Sequence, residues 1–462
     1  MAHHRADSAA LLRSLPSVER LLQSDALMRL PRGLALRCAR ATIDELRAAA
    51  LSGAIDVVRF AEIANEQAAA ATAAQRAQRE QRLRHSRVAN ATGIVLHTGL
   101  GRAPLCEAAK AALLDAAGYS VVEVDPRTGL RDQREHAVAA LFAQLTGAEA
   151  ALVVNNNAAA TTLALGALCF EQEVVVSRGE LVEIGGGFRV PDVMKRAGCV
   201  MVEVGATNKT HLRDFEGAVT PRTKAFLKVH PSNFRIEGFA GVPALQDLCA
   251  LARSRGLWVL DDLGSGFLTD APIRGLEGEP RVRQSLAAGA DVVCFSGDKL
   301  LGGPQCGVLL GNPTHIAAMR AHPLYRALRC DKLTLSALEA TLRVYRDGDA
   351  AMEIPTLRML SASADELRAR SEDLLELLPK GCGKVVASES FAGSGANPAK
   401  SLPSFAVAIQ GGDSLADRLR AAVPIAVFAR VHDGHVLLDA RTLLLEDLHA
   451  LAAILRSAIS PP

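Results

Sequence analysis

Short apolar runs alternate with amphipathic stretches through the middle of this chain. The runs are Ala151–Val154, Val174–Ser177, Val200–Val204, Ala225–Val229, Leu257–Leu260, Ala290–Phe295 and Gly307–Leu310. Runs that are apolar throughout mark strands buried on both faces. Their alternation with helical stretches over about 220 residues predicts a mostly parallel sheet wrapped by helices. Sheets of that kind bind ligands beyond the carboxyl ends of their strands. Residues 1–87 have another texture: Leu11, Leu12, Leu15, Leu21, Leu22 and Leu27, then Ile43, Leu46 and Ala50, recur at helical spacing. Residues 334–350 predict a long connecting helix, and the Ser/Gly/Ala/Asn/Pro-rich segment 390–403 a loop. Strands at Phe405–Ile409, Ile425–Val431 and His435–Leu438, separated by helices, predict a smaller α+β domain. The expected organisation is a helical extension over 1–87, an α/β core over 88–335, and a connecting helix with a small C-terminal domain over 336–462.

Composition narrows the class. The chain has 462 residues, 49% hydrophobic and 22% charged, as a soluble globular protein does. Aromatics make up 4%, too few for a single-stranded nucleic-acid binder built on base stacking. The net charge of +2 is unevenly spread: residues 1–87 hold fourteen Arg, no Lys and nine Asp or Glu. Residues 62–84 are rich in Ala, Gln and Arg and lead into Arg76, Arg79, Arg82, Arg84 and Arg87. That series reads either as a solvated helix face or as a contact for a polyanion, since arginine suits phosphate. Nine cysteines are scattered singly with no Cys-x-x-Cys pair, which counts against structural zinc and a disulfide framework and fits a cytoplasmic protein. Neither a signal peptide nor a membrane span is expected.

Chemistry enters at Phe295-Ser296-Gly297-Asp298-Lys299-Leu300-Leu301-Gly302-Gly303-Pro304. A buried strand ends at a lysine, and glycines and a proline then force a turn. Desolvation lowers a lysine's pKa, and the neutral amine forms Schiff bases. Pyridoxal phosphate carries the aldehyde that such a lysine takes. Trp258-Val259-Leu260-Asp261-Asp262-Leu263-Gly264-Ser265-Gly266 ends another strand with two carboxylates. A carboxylate against the pyridine nitrogen keeps that cofactor electron-accepting. Asp261 is favoured for this place, with Asp262 close behind. Val153-Val154-Asn155-Asn156-Asn157-Ala158 reads as a strand end and a capped helix start, where a phosphate sits well on Asn156, Asn157 and Ala158. His230, at the end of a further strand, is a candidate to stack on the ring or meet its 3′ oxygen, and Ser296 adjoins the lysine turn. Arg326 and Arg329, at i and i+3, are expected on one helix face, where paired guanidinium groups grip oxyanions.

Taken together, these motifs resemble the bacterial selenocysteine synthase family, the L-seryl-tRNA(Sec) selenium transferases. The matching stretches are Asn90–Leu105, Asn155–Ala160, Glu183–Pro191, Glu203–Thr210, Asp262–Gly266, Ser296–Gly307, His322–Leu338 and Leu438–Thr442. The resemblance implies an α/β, fold-type-I pyridoxal-phosphate-dependent transferase. Such a protein has a large mostly parallel sheet domain, a smaller α+β C-terminal domain and a helical N-terminal extension. It further implies that Lys299 holds the cofactor covalently and acts as general base. Arg102, Arg326 and Arg329 would bind selenophosphate, and Arg76, Arg79, Arg82 and Arg84 would lie in the part that grips tRNA. Seryl-tRNA(Sec) would become selenocysteyl-tRNA(Sec) through an aminoacrylyl intermediate, in a homo-oligomer, commonly a decamer built as a pentamer of dimers. Gly99 and Cys306 depart from the family pattern, where asparagine and alanine are usual.

Two rival readings remain at this level. One is a fold-type-I lyase or racemase acting on a free small substrate, which would have no use for the basic extension. The other is a non-catalytic RNA-binding protein, against which Lys299 and the strand-end aspartates stand.

Overall fold

A computed structural model describes residues 10–52, 56–184, 187–231, 234, 236, 238–393, 395, 401–444 and 448–459. All seven apolar runs are strands of one sheet. Numbered along the chain, they are β1 (Ala150–Val154), β2 (Glu173–Ser177), β3 (Val200–Val204), β4 (Thr223–Val229), β5 (Trp258–Gly264), β6 (Val292–Ser296) and β7 (Gly307–Gly311). Their spatial order is β1-β7-β6-β5-β4-β2-β3. Strand β7 runs antiparallel to both its neighbours, and the remaining pairs are parallel.

Apolar side chains cover this sheet on both faces, which explains why its strands lack alternation. One face packs Val153, Val175, Phe226, Val259, Val293, Phe295 and Val308 against Phe142, Leu248 and Leu338. Phe142 and Phe295 meet edge to face with centroids 6.1 Å apart. The other face packs Leu152, Val174, Val176, Leu227, Leu260 and Leu309 against Leu163, Met194 and Met319. A ligand therefore has no room on either face, and the functional groups are left at the strand ends.

The chain divides into two compact units, one of residues 1–92, 369–386 and 406–462, the other of 93–368 and 387–405. The helix Lys332–Asp347 belongs to the second, because Leu335, Leu338 and Leu342 join the core of the large sheet. Strand Val88–Ala91 belongs to the first. It pairs in parallel with Ala426–His432, in register Val88↔Ala426, beside the antiparallel strands His435–Asp439 and Ser401–Gln410.

The expected loop over 390–403 is shorter than its composition suggested. Strand Gly383–Gly393 enters it and strand Ser401–Gln410 leaves it, while residues 394 and 396–400 lie outside the described residues. Ile94–Leu96 pairs in parallel with the first of these strands, and this backbone ladder holds a sequence of poor strand propensity.

The helical region of residues 10–81 builds its own core. Leu21, Leu27, Leu34, Cys38, Ile43 and Phe60 pack with the alanine stripe Ala69, Ala70, Ala73 and Ala77. Asp56 and Asn65 cap the helices Val57–Ala64 and Glu66–Gln81. Among the described residues no helix is long and apolar enough to cross a membrane.

Candidate active site

Lys299 stands just past the end of β6 and is 5% exposed. Its turn is tied down from several sides. Gly297 N–H donates to Cys306 C=O at 2.9 Å, Gly303 N–H to Gly297 C=O at 2.9 Å, and Leu300 N–H to Ser265 C=O at 2.9 Å. Gly297 has no room for a side chain: a Cβ there would lie 2.4 Å from Cys306 Sγ and 2.6 Å from Pro304 O. Burial, the largest influence, drives the Lys299 amine below the ordinary lysine range; the Arg102 charge adds to this, and Asp262, Asp298 and Glu279 oppose it. The sequence expectation of a desolvated lysine rests on the same physics.

The two aspartates of β5 part company. Side chains alternate along a strand, so neighbours point to opposite faces. Asp261 shares a face with Val259 and Leu263, and Asp262 shares the other with Leu260 and Cys294. Asp262 accepts from Asn157 Nδ2 at 2.8 Å and from Thr161 Oγ1 at 3.1 Å. Burial raises it above the usual carboxylate range; the Asn157 bond, the Lys299 charge and Thr161 pull it back. Asp261 is pushed up to about 6, mainly by burial, and answers to Ser285 and Lys228. The expectation favoured Asp261 for the pyridine nitrogen, with Asp262 close behind. Of the two, it is Asp262 whose charge acts on Lys299, and strand parity sends Asp261 to the other face.

Strand β1 ends at the asparagine turn. Asn156 caps the helix Asn157–Cys169 by accepting from Ala159 N–H at 2.9 Å. The first-turn N–H groups at Asn157 and Ala158 thus face the strand ends, where a helix mouth favours an anion. Gly307 of β7 runs directly beneath: a Cβ there would meet Asn156 O at 2.1 Å. Asn157 also has a buried Oδ1 without a hydrogen-bond partner among the described residues.

His230 follows β4, and its N–H donates to Asp262 C=O at 3.0 Å. Its Nδ1 is buried without a partner among the described residues. Burial first, then the charges of Lys228 and Lys299, lower it to about 4, so the ring is neutral near pH 7. Ser296 is buried at the end of β6.

Arg102 reaches this cluster from the segment after Ile94–Leu96. Its Nη1 pairs with Asp298 Oδ2 at 2.7 Å, and Ala103 N–H donates to Asp298 C=O at 3.2 Å. Its backbone is left-handed, φ 61°, a conformation that costs a side-chain-bearing residue roughly 1–2 kcal/mol. Such strain persists where surrounding contacts hold it.

Arg326 and Arg329 do not share a helix face. The helix Pro323–Leu328 ends before Arg329, whose backbone is already extended. Arg329 bridges instead to Val154, and Asn155 N–H donates to Leu328 C=O at 2.9 Å, which places Arg329 beside the asparagine turn. Arg329 pairs with Glu123 at 3.2 Å, and Glu123 also holds Arg131 and Arg134. Arg326 is exposed.

Residue reasoning passed over Asp298, Thr161, Glu123 and Glu279. Asp298 is next to Lys299 in the chain and was legible there; the others converge only through folding. In the Glu183–Pro191 motif, Gly185 and Gly186 lie outside the described residues.

The arginines of the helical region are placed differently. Arg76 is ion-paired to Glu45. Arg82 donates to Ser86 Oγ at 2.8 Å and to Ala422 C=O at 3.1 Å. Arg79 and Arg84 are exposed.

A helix mouth, a buried carboxylate, a desolvated amine and two unpartnered polar atoms form a set that fits a phosphorylated pyridine aldehyde. Comparison with known proteins adds to this. Residues 88–444 match the family model described as L-seryl-tRNA selenium transferase, and residues 12–47 match that described as selenocysteine synthase N terminal. The L-seryl-tRNA(Sec) selenium transferase of Geobacter sulfurreducens is 46% identical over 461 residues, covering 96% of this chain and 99% of the relative. That of Moorella thermoacetica is 47% identical over 467 residues, covering 98% of each. Among solved structures, D-glucosaminate-6-phosphate ammonia-lyase matches with a TM-score of 0.58 at 22% identity, over 81% of this chain and 95% of that one. That likeness speaks for the fold alone.

Proposed function

The chain belongs to the L-seryl-tRNA selenium transferase family, and from that premise we propose that it converts seryl-tRNA(Sec) to selenocysteyl-tRNA(Sec) in the cytoplasm, with pyridoxal phosphate as cofactor and selenophosphate as selenium donor. The observation that carries this reading is the grouping of buried Lys299 with Asp262, Asn157 and His230 at the strand ends.

Lys299 would hold the cofactor covalently, since burial favours its neutral, nucleophilic form. The helix mouth at Asn156, Asn157 and Ala158 would take the phosphate. Asp262 would face the pyridine nitrogen, oriented by Asn157 and Thr161. A cation there removes the penalty of keeping this carboxylate buried and charged. Neutral His230 would lie against the ring or its 3′ oxygen. When bound, the cofactor supplies an electron sink for the charge left at the substrate's α carbon. Lys299 would remove that α proton as general base and hold it at Nζ. The hydroxyl would leave the β carbon as water, taking a proton from Lys299 Nζ; the donor's selenium would bond to that carbon, and water would cleave the Se–P bond, releasing phosphate.

Arg102 and Arg329, with Arg326 farther out, would bind the small, highly charged donor. The arginines of the helical region would bind the tRNA body, Arg79 and Arg84 being the ones turned to solvent. The assembly is proposed to be a homodecamer.

Purified protein given selenophosphate and either seryl-tRNA(Sec) or free serine tests the reading. Selenium should appear in the aminoacyl-tRNA product and not in free amino acid. Equal use of free serine would assign the chain to small-molecule chemistry.

A further inference from the structure

Between the strands Gly383–Gly393 and Ser401–Gln410 the chain brings Gly395 against the lysine of the site. A Cβ on Gly395 would lie 2.5 Å from Lys299 Cδ, 2.6 Å from Cε and 2.6 Å from Nζ. Those three are its nearest neighbours, and real Cβ atoms do not come within 3.0 Å of another heavy atom. The bare backbone of Gly395 therefore touches the outer half of the Lys299 side chain, amine included.

Both flanks of Gly395 are fastened. On the entering side, Phe391 N–H donates to Gly93 C=O at 2.8 Å, and Gly393 pairs with Leu96 so closely that a Cβ on Gly393 would meet Leu96 O at 2.8 Å. On the leaving side, Leu402 is 3% exposed, and its Cδ2 occupies the space that a Cβ on Gly275 would need. Lys299 is fastened at its root: Leu300 N–H donates to Ser265 C=O and Gly302 N–H to Lys299 C=O, each at 2.9 Å. With both backbones held, the party free to yield is the end of the lysine side chain. Bulk added at position 395 is relieved by driving the amine out of its buried place, which a close-packed site resists.

We propose that Gly395 is a positioning residue for Lys299: it is the wall on which the amine rests, and it sets where Nζ stands when it takes the cofactor or a proton. The inference rests on the cofactor reading above. The φ of 90° at Gly395 is a second reason for glycine, because a side chain is disfavoured there whatever lies beside it. That reason acts through the backbone and does not depend on residue 299. A contact with the amine does depend on it.

A double-mutant cycle on full-length, cofactor-free protein separates the two. Denaturant unfolding is measured for wild type, Gly395→Ala, Lys299→Ala and the double variant. Backbone strain is common to both backgrounds and cancels in the cycle. The contact does not cancel: Gly395→Ala should shift the folding equilibrium at least about threefold less once residue 299 is alanine. Equal shifts in both backgrounds overturn the proposal. Should Gly395→Ala fail to fold, Lys299→Ala should restore folding, and a double variant that also fails overturns the proposal. The second readout is spectroscopic. Titrated with pyridoxal phosphate, Gly395→Ala should reach half of its visible band at a cofactor concentration about tenfold above that of wild type; an unchanged half-saturation overturns the proposal. A wild-type protein with no visible band overturns the cofactor reading, and the unfolding cycle then judges the contact by itself. A wild-type band with no coupling in the cycle overturns the role of Gly395 alone.

Discussion

Charged residues of the helical region and of the strand ends work in different solvents. In the helical region Arg37, Arg47 and Arg59 stand in water and pair with Glu80, Asp44 and Glu62 at 3.2, 2.7 and 2.9 Å. Exposed pairs of this kind contribute about 0–1 kcal/mol each. At the strand ends Lys299, Asp261 and Asp262 are each no more than 5% exposed, and every one is displaced from its ordinary proton affinity. The first region uses charge as a density, in which one residue substitutes for another. The second uses charge as a position, in which a one-residue shift along a strand reverses the face. A basic face suits a long polyanion, and a fixed set of buried groups suits chemistry at one carbon atom.

The largest break in that contrast is Lys299→Ala. It should remove the visible band of the bound cofactor and lower turnover by at least about 10⁴-fold, as loss of a covalent group does. A variant that keeps the band would show that another amine holds the cofactor.

Next comes the aspartate pair. Asp262→Asn should lower kcat by about 10²–10³-fold, the scale of a lost electrostatic partner in a dry site. Asp261→Asn should change kcat by less than about tenfold. If the two effects were reversed, the strand-parity assignment would be wrong. Asp261 also carries a pH signature. Its folded value, about 6, lies above the ordinary 3.8, so the folded state holds more protons than the unfolded state between those values. Its contribution to stability is therefore greatest below that window and is lost as pH rises through it. Asp261→Asn should remove this loss, which thermal unfolding of variant and wild type across pH 4–7 would detect.

The smallest effects belong to the helical region. Arg79→Ala with Arg84→Ala should weaken tRNA binding modestly and reduce the slope of affinity against salt by about one for each phosphate left without its arginine. Arg82→Ala should act on folding instead, by about 1 kcal/mol, because its guanidinium bonds Ser86 and Ala422 within the protein. Equal loss of tRNA affinity from Arg82 and Arg79 would erase the distinction between arginines bonded within the protein and those facing solvent.

Much of the fold was legible because its signals are local. Seven apolar runs each became a strand, and Asn156 became the cap its type suggests. Lys299 could be picked out because an unbroken apolar strand leads straight into it. Other features depended on partners distant in the chain. Strand structure at Phe391 and Gly393, inside the expected loop, goes with their pairing to Ile94 and Leu96, far away in the chain. Arg329 left the helix face that its spacing suggested because the helix stops at Leu328, whose C=O accepts from Asn155 N–H, and Arg329 itself bridges to Val154. Glu279 sat in a glycine-rich stretch with no local mark, and only burial makes its carboxyl chemically distinct.

Side-chain chemistry and hydrophobic period, both written along the chain, determined the α/β class, the buried lysine and the basic helical extension. Tertiary structure put Asp261 and Asp262 on opposite faces of the sheet, separated Arg326 from Arg329, and brought Asn157 and Thr161 to Asp262. The reason is physical. A residue's type and period travel with the sequence, but its desolvation and its neighbours across the sheet exist only once distant segments have packed together.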